Sequence, residues 1–295
     1  MRSITEIISL AKGKNISLPE AILHLETEAT GLSREEIKEK IHSRLMDMEQ
    51  SVKEAEENKL PCKLVLNKGK QIRNYAEKNK TLSGSFVIKA SEIAIEVASY
   101  NATMGRIVAA PTAGSCGILP GLLFAWKKLN ATGTKEEIDE KLTNALIIAG
   151  AVGEVIAERA TLAGAEGGCQ AECGAATAMA SASLVYLQGG NEEQLENAVS
   201  LTLKSILGLV CDPVGGLVEV PCIKRNGMLC SMGALSADMA LAGIVSIIPA
   251  DEVIDTMSSV GKSMPATLRE TALGGLAVTP TAKRLINNLK NKCNS

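Results

Sequence analysis

Apolar side chains recur at three- and four-residue steps through most of the chain, which is the spacing of one face of an α-helix. Near the N-terminus, a short helix is predicted over 4–12, and Ser17 with Glu20 and Ser33 with Glu36 match the capping-box pattern that begins a helix. Further helices are predicted over 86–104, 120–129, 134–162, 171–187, 192–209, 227–248, 252–260 and 280–291. The glycines and Pro221 within 214–223 favour a loop over a strand. The pattern therefore predicts an all-α fold.

A basic, polar stretch interrupts the apolar pattern between Lys59 and Ser85. We place a domain boundary at its end, with residues 1–83 as a small helical extension plus basic linker and residues 84–295 as the main helical domain. A run of charges is usually a solvated face, and contact with a partner is the alternative.

Composition and charge exclude several classes of protein. The chain has 295 residues, 46% of them hydrophobic, with a formal net charge of -2 and 2% aromatic residues. Nucleic-acid binding needs a basic surface and stacking side chains, so it is not expected. The apolar run over 107–126 is broken by prolines and glycines, so no membrane span is predicted. No secretory signal is visible, and we expect a cytoplasmic protein.

The cysteines indicate metal chemistry. In a reducing compartment, clustered cysteines bind metals more often than they form disulfides. Cys169, Cys211 and Cys222 lie in two glycine- and proline-rich stretches, 164–174 and 211–226, whereas Cys62 and Cys230 have no such setting. Paired Cys-x-x-Cys motifs are absent and both histidines lie in the first 42 residues, which disfavours structural zinc. From spacing alone, a three-cysteine iron–sulfur site and unligated core thiols remain equal alternatives.

Three long motifs carry a family resemblance: Ala110-Pro-Thr-Ala-Gly-Ser-Cys-Gly-Ile-Leu-Pro-Gly121, Gly164-Ala-Glu-Gly-Gly-Cys-Gln-Ala-Glu172, and the stretch from Cys211 to Asn226. Together they resemble the iron–sulfur-dependent L-serine dehydratases, specifically the alpha subunit of the two-subunit bacterial type, from about Ser83 to about Gly275. The resemblance implies a 4Fe–4S cluster held by Cys169, Cys211 and Cys222. It also implies conversion of L-serine to pyruvate and ammonia, in amino-acid degradation and gluconeogenesis, by a heterodimer with a beta subunit that carries histidine motifs.

Other residues are weaker site candidates. In the loop from Pro111 to Gly117, the Thr112 and Ser115 hydroxyls and the backbone at Gly114 could bind the substrate carboxylate, although such a loop could equally be a tight connection. Asn101 and Asn226 are candidate polar contacts of the substrate. Glu166 and Lys224 are the candidate catalytic residues, and Glu172 is an alternative acceptor.

The remaining cysteines are judged by the same resemblance, in which cysteine is not expected at positions 116 and 173 of every close relative. Cys116 and Cys173 are interpreted as core thiols. Single-chain family members end in a cysteine that can reach the open iron, so Cys293 either does the same or lies on a frayed tail.

Two alternative functions are weighed beside serine dehydration. One is a related iron–sulfur lyase that acts on L-cysteine, and the other is a non-catalytic iron–sulfur sensor, which would not need the 111–117 loop. The catalytic base is not identified by the sequence, because no histidine follows His42.

Overall fold

The computed structural model describes residues 1–66 and 69–293, with the side chains of residues 292 and 293 left out. The hypothesis that the Cys293 thiol reaches the cluster lies outside the described residues, as does Lys68 of the basic stretch. Within the described part, the chain forms thirteen α-helices and no β-sheet, which confirms the predicted all-α fold. None of the helices described there is both long and apolar enough to cross a membrane.

Some helices are joined by short turns, whereas longer connections precede α4, α6, α11 and α13. Their bounds are α1 Ile4–Lys14, α2 Leu18–Thr30, α3 Arg34–Glu57, α4 Lys70–Ala76, α5 Gly84–Ala102, α6 Ile118–Leu129, α7 Lys135–Arg159, α8 Gly164–Gly167, α9 Ala175–Leu187, α10 Glu192–Ile206, α11 Cys222–Leu241, α12 Ala250–Ser263 and α13 Pro280–Cys293. Short 3₁₀ turns occupy Ala113–Ser115, Val214–Gly216, Ala266–Leu268 and Gly275–Val278, and a π-helical turn, Gln170–Gly174, leads into α9.

Side-chain caps begin several of these helices where the sequence predicts them. The Ser33 hydroxyl accepts from the Glu36 N–H, and the Glu36 carboxylate accepts from the Ser33 N–H, so both halves of the capping box form. Thr134 and Glu137 make the same pair of bonds at the start of α7. Each cap satisfies amides that the first helical turn leaves without a partner.

Helix α9 is the centre of the molecule. It packs against α6, α7, α10 and α11, and eleven of its thirteen residues are buried. A helix enclosed on all sides has no polar face, and its alanines and serines allow the neighbouring helices to approach closely. This arrangement explains how a chain with 2% aromatic residues builds a dense interior.

The N-terminal helices share the apolar core of the main body. Helix α3 packs on α5 and α7, and its fully buried Leu45 belongs to the same hydrophobic cluster as Leu122 of α6 and Ala180 of α9. The boundary near residue 83 stays a prediction, but the apolar contacts across it are continuous.

The basic stretch contains a helix that the sequence did not predict. In α4, the Arg73 guanidinium forms an ion pair of 2.5 Å with the buried Glu92 carboxylate of α5. Just before α4, the Glu219 carboxylate accepts from the backbone N–H groups of residues 63, 64 and 65. The backbone of the stretch is therefore bound to the main body on both sides of the undescribed residues.

Candidate functional site

The three predicted ligand cysteines come from three separate segments and are all buried. Cys169 lies between α8 and the π-helical turn, Cys211 lies in an extended segment after α10, and Cys222 is the first residue of α11. The Cys169 thiol is hydrogen-bonded to the Cys211 thiol, and Cys222 is close enough to Cys169 for their charges to interact. The fold therefore brings all three sulfur atoms into one neighbourhood.

A fourth thiol, that of Cys173, joins them. It is hydrogen-bonded to Cys169, and it lies 4.0 Å from the Gly114 carbonyl oxygen. The sequence interpretation of Cys173 as a core thiol missed this contact. The available signal was its position four residues after Cys169, which puts two helical residues on the same face.

The thiols differ in their tendency to ionise. Hydrogen bonds from Cys173 and from Cys211 hold the pKa of Cys169 well below its usual range, and the same contacts raise the pKa values of Cys173 and Cys211. Burial raises the pKa of Cys222 to about 12. Cys169 is therefore the thiol whose surroundings best stabilise the thiolate, which is the form that binds metals.

Glu172 is the carboxylate that connects the cysteines with the 111–117 loop. Its Oε1 accepts a hydrogen bond of 2.8 Å from the Thr112 hydroxyl, and its Oε2 lies 3.6 Å from the Cys211 sulfur atom. Burial raises the pKa of Glu172 to about 7, and the Thr112 hydrogen bond opposes that shift. Both acids flank Cys169, and no linear pattern distinguishes Glu172 from Glu166, the predicted catalytic residue.

A glycine makes this close packing possible. A Cβ atom at Gly164 would collide with the Glu172 carboxylate and lie 3.2 Å from the Cys211 sulfur atom. Helix α8 can therefore approach the thiols only because residue 164 has no side chain.

The two predicted asparagines hold the 111–117 loop. Asn101 at the end of α5 donates to the Ala113 carbonyl oxygen at 3.1 Å. Asn226, one turn into α11 and fully buried, accepts from the Gly117 N–H at 2.9 Å and donates to the carbonyl oxygens of Gly114 and Cys222. Asn226 thus ties the loop to the helix turn that contains Cys222.

Part of the predicted carboxylate-binding nest is already occupied by protein acceptors. The Ser115 N–H donates to the Thr112 carbonyl oxygen and the Gly117 N–H donates to Asn226. The Ser115 hydroxyl is buried against Thr112, whose own hydroxyl donates to Glu172. The exposed rim of the loop is therefore the backbone near Ala113 and Gly114.

Arg225 supplies positive charge beside the thiols. Its guanidinium contacts the Cys169 thiol, donates to the Val210 carbonyl oxygen at 3.0 Å and pairs with the Asp212 carboxylate at 3.3 Å. The Arg225 guanidinium is therefore already bound by groups of the protein. We interpret Arg225 as a counter-charge to the thiolates.

A C-terminal segment, residues 266–278, crosses the Cys211 side of the site. The Cys211 N–H donates to the Leu268 carbonyl oxygen at 2.9 Å, and the Glu270 N–H donates to the Cys211 carbonyl oxygen at 2.7 Å. The Glu270 carboxylate is exposed, and one ligand atom each from Glu270, Glu172 and Cys211 lie within 4.8 Å of one another. These three side chains could together bind a metal ion.

The candidate catalytic residues and the histidines lie elsewhere. The exposed Glu166 carboxylate accepts from the Thr161 hydroxyl at 2.6 Å. Lys224 lies near Cys62 and Glu96, and partial burial lowers its pKa. His24 lies 3.3 Å from Glu28, and His42 contacts Thr143, so neither described histidine reaches the cysteines. Roles for Glu166 and Lys224 stay predictions.

Comparison with known proteins identifies close relatives of the chain. A family model described as serine dehydratase alpha chain matches residues 13–277. The chain is 45% identical over 287 residues to the probable L-serine dehydratase alpha chain of Bacillus subtilis, which covers 96% of this chain and 93% of that one. It is 40% identical over 288 residues to the L-serine dehydratase alpha chain of Peptoniphilus asaccharolyticus, covering 97% of both chains.

A longer relative shows a different chain organisation. The L-serine dehydratase of Mycobacterium tuberculosis is 34% identical over 286 residues, which cover 94% of this chain but only 60% of that protein. The rest of that polypeptide lies outside the region aligned with this chain.

Proposed function

The chain belongs to the serine dehydratase alpha chain family, and on that premise we propose that it is the alpha chain of an L-serine dehydratase, a lyase. The reaction removes the α-hydrogen and the β-hydroxyl of L-serine as water, and the resulting aminoacrylate tautomerises to an imine that hydrolyses to pyruvate and ammonia. The observation that carries the proposal is the convergence of Cys169, Cys211 and Cys222 with Glu172 beside the 111–117 loop.

The donor set fits a 4Fe–4S cluster. Thiolates are the usual ligands of such clusters, and Cys169, Cys211 and Cys222 offer buried sulfur atoms from three segments. The low pKa of Cys169 and the adjacent Arg225 guanidinium both favour ionised sulfur. When bound through three protein thiolates, such a cluster supplies an iron with an open position, which is a Lewis acid for a hydroxyl group.

The chain's own residues shape the space beside that cluster. We infer that the backbone near Ala113 and Gly114, with Thr112, binds the substrate carboxylate, while Asn101 and Asn226 hold the loop in place. The Thr112 hydroxyl fixes the Glu172 carboxylate next to Cys211, so Glu172 is favoured over Glu166 as the acid of the site. Fixing the substrate in a reactive orientation can supply much of the rate acceleration.

A second chain completes the enzyme in this proposal. Two relatives are named alpha chains, which implies another subunit. The longer M. tuberculosis relative carries additional polypeptide. Since His24 and His42 lie away from the cysteines, the second chain is the natural source of a histidine base. The relatives' names favour dehydration of serine over the L-cysteine and sensor alternatives.

Anaerobic reconstitution tests the proposal. The purified chain is loaded with iron and sulfide, combined with a candidate second chain, and assayed for pyruvate from L-serine and, in parallel, from L-cysteine. We expect iron binding and pyruvate formation with L-serine preferred. A loaded, folded complex that produces no pyruvate from L-serine contradicts the proposal.

A further inference from the structure

The 266–278 segment is fixed to the site at two places. Its backbone pairs with both sides of Cys211 through Leu268 and Glu270, and the Leu276 N–H donates to the Asp212 carboxylate at 2.8 Å. Asp212 is itself buried and paired with Arg225. The segment is therefore anchored to the Cys211 backbone and to the neighbouring Asp212 side chain.

Glu270 lies in this segment in an unusual backbone conformation. Its φ angle is 62°, in the left-handed region that disfavours residues with a Cβ atom. The hydrogen bond to the Cys211 carbonyl oxygen holds it there. As a result, the Glu270 carboxylate lies within 4.8 Å of both the Cys211 sulfur and the Glu172 carboxylate.

The described cations near the site pair with groups other than the Glu270 carboxylate. Among the described side chains, none forms an ion pair with its carboxylate. Arg225 is engaged by Asp212 and Val210, and Lys224 lies near Cys62 and Glu96. The exposed Glu270 carboxylate, next to the Cys211 thiol and Glu172, is therefore placed to attract a cationic group of a ligand.

An amino-acid substrate carries such a group. We propose that the Glu270 carboxylate binds the ammonium group of the substrate and thereby selects α-amino acids over the corresponding α-hydroxy acids. This inference rests on the proposed dehydratase function. It assigns the two substrate charges to different parts of the site, with the carboxylate at the 111–117 loop and the ammonium at Glu270.

The variant Glu270→Gln tests this role because it removes the charge and keeps the shape. Because the variant loses a charge-assisted hydrogen bond to the bound substrate, its KM for L-serine should rise about tenfold or more, with a smaller change in kcat. Inhibition by L-glycerate, which has a hydroxyl in place of the ammonium, should be unchanged. Iron per chain and the visible absorption of the loaded protein should also match the parent.

Two further variants sharpen the test. Glu270→Asp keeps the charge on a shorter side chain and should recover part of the lost affinity. Glu140→Gln removes an exposed carboxylate on α7 and should leave the KM unchanged.

The outcomes separate this inference from the proposed function. If the parent complex forms no pyruvate from L-serine, the proposed function itself fails. If the parent is active, three results with Glu270→Gln would show that Glu270 does not bind the ammonium group. The KM for L-serine could stay at the parental value, or inhibition by L-glycerate could weaken as much as the KM for L-serine rises. The variant could also lose iron.

Discussion

At the scale of the residue, local backbone geometry decides which of the two glutamates that flank Cys169 faces the thiols. Glu166 lies in α8 with its carboxylate exposed and bonded to Thr161, whereas Glu172 lies within the π-helical turn and faces Thr112 and Cys211. π-Turns are rare and often occur at functional sites, where they rotate side chains relative to the regular helical register. No sequence pattern in this stretch predicts that turn.

The two glutamates give the first prediction. Glu172→Gln should reduce dehydratase activity about 10- to 100-fold, the usual effect of removing a group that orients metal ligands or substrate. Glu166→Gln, which loses only a contact with Thr161, should retain nearly parental activity. The comparison is made by pyruvate assay on complexes with equal iron content. The reverse ranking would restore Glu166 as the acid of the site.

The cysteines give the second prediction. Alanine at Cys169, Cys211 or Cys222 should abolish the visible absorption and iron content of anaerobically loaded protein, because each removes one of three ligands. Cys230→Ala is the matched control, since Cys230 is equally buried but packs between α5 and α6. Full iron content in Cys211→Ala would show that the ligand assignment is wrong.

Asn226 gives the third prediction. Its side chain makes three hydrogen bonds in a fully buried position, so Asn226→Ala leaves the Gly117 N–H and the Gly114 carbonyl oxygen unpaired. The free energy of unfolding should fall by about 1–3 kcal/mol. Denaturant titration measures it, with Asn79→Ala, which loses one exposed bond, as a control near zero. Equal stability of the two variants would mean that the loop re-forms these bonds without Asn226.

At the scale of the element, the sequence predicts helices best where capping residues mark their starts. Ser33 and Thr134 place the beginnings of α3 and α7 correctly because the cap is local chemistry. The start of α11 was predicted at Gly227, but the helix begins at Cys222, directly after Pro221. The predicted loop over 214–223 extended too far, because Pro221 lies at the N-cap of α11 and the helix begins directly after it.

Helix α4 was missed for a different reason. Four of its seven residues are polar or basic, which leaves little apolar periodicity, and no side chain caps its first turn. The ion pair of Arg73 with Glu92 and the hydrogen bond from the Lys70 N–H to Glu96 join it to α5. Contacts of this kind with a distant part of the chain leave no local signal in a sequence.

The basic stretch gives the fourth prediction. Buried Glu219 accepts three backbone hydrogen bonds from residues 63–65, so Glu219→Ala should release this part of the linker. Limited trypsin digestion should then cut within residues 59–80 much faster than in the parent. Glu57→Ala, an exposed change at the end of α3, should leave the cleavage rate unchanged. Unaltered cleavage in Glu219→Ala would indicate that α4 alone holds the stretch.

At the scale of the whole molecule, the candidate site is assembled from segments far apart in the sequence. The 111–117 loop, the two cysteine stretches and the 266–278 segment meet around Glu172 and Cys211 because α5, α6, α9 and α11 pack into one core. The sequence motifs identified the first three, since they contain unusual glycine and cysteine patterns. The 266–278 segment contains Gly274 and Gly275 but no cysteine, and only the fold brings Glu270 to the thiols.

The composition of this assembled site leads to the last prediction. It brings together thiols, carboxylates, hydroxyls and one engaged arginine, but among the described residues no histidine, while removal of an α-hydrogen from serine requires a base. We therefore expect the isolated alpha chain, loaded anaerobically, to bind iron yet form pyruvate at a small fraction of the rate of the complex. General-base catalysis typically contributes about 100-fold or more, so adding the second chain should raise kcat by at least that factor.

The measurement is a titration of loaded alpha chain with second chain, followed by pyruvate release. The control is a second chain with its histidines replaced, which should bind without restoring activity. Full turnover by the isolated alpha chain would place the base within this chain and return attention to Glu166, Glu172 and Lys224.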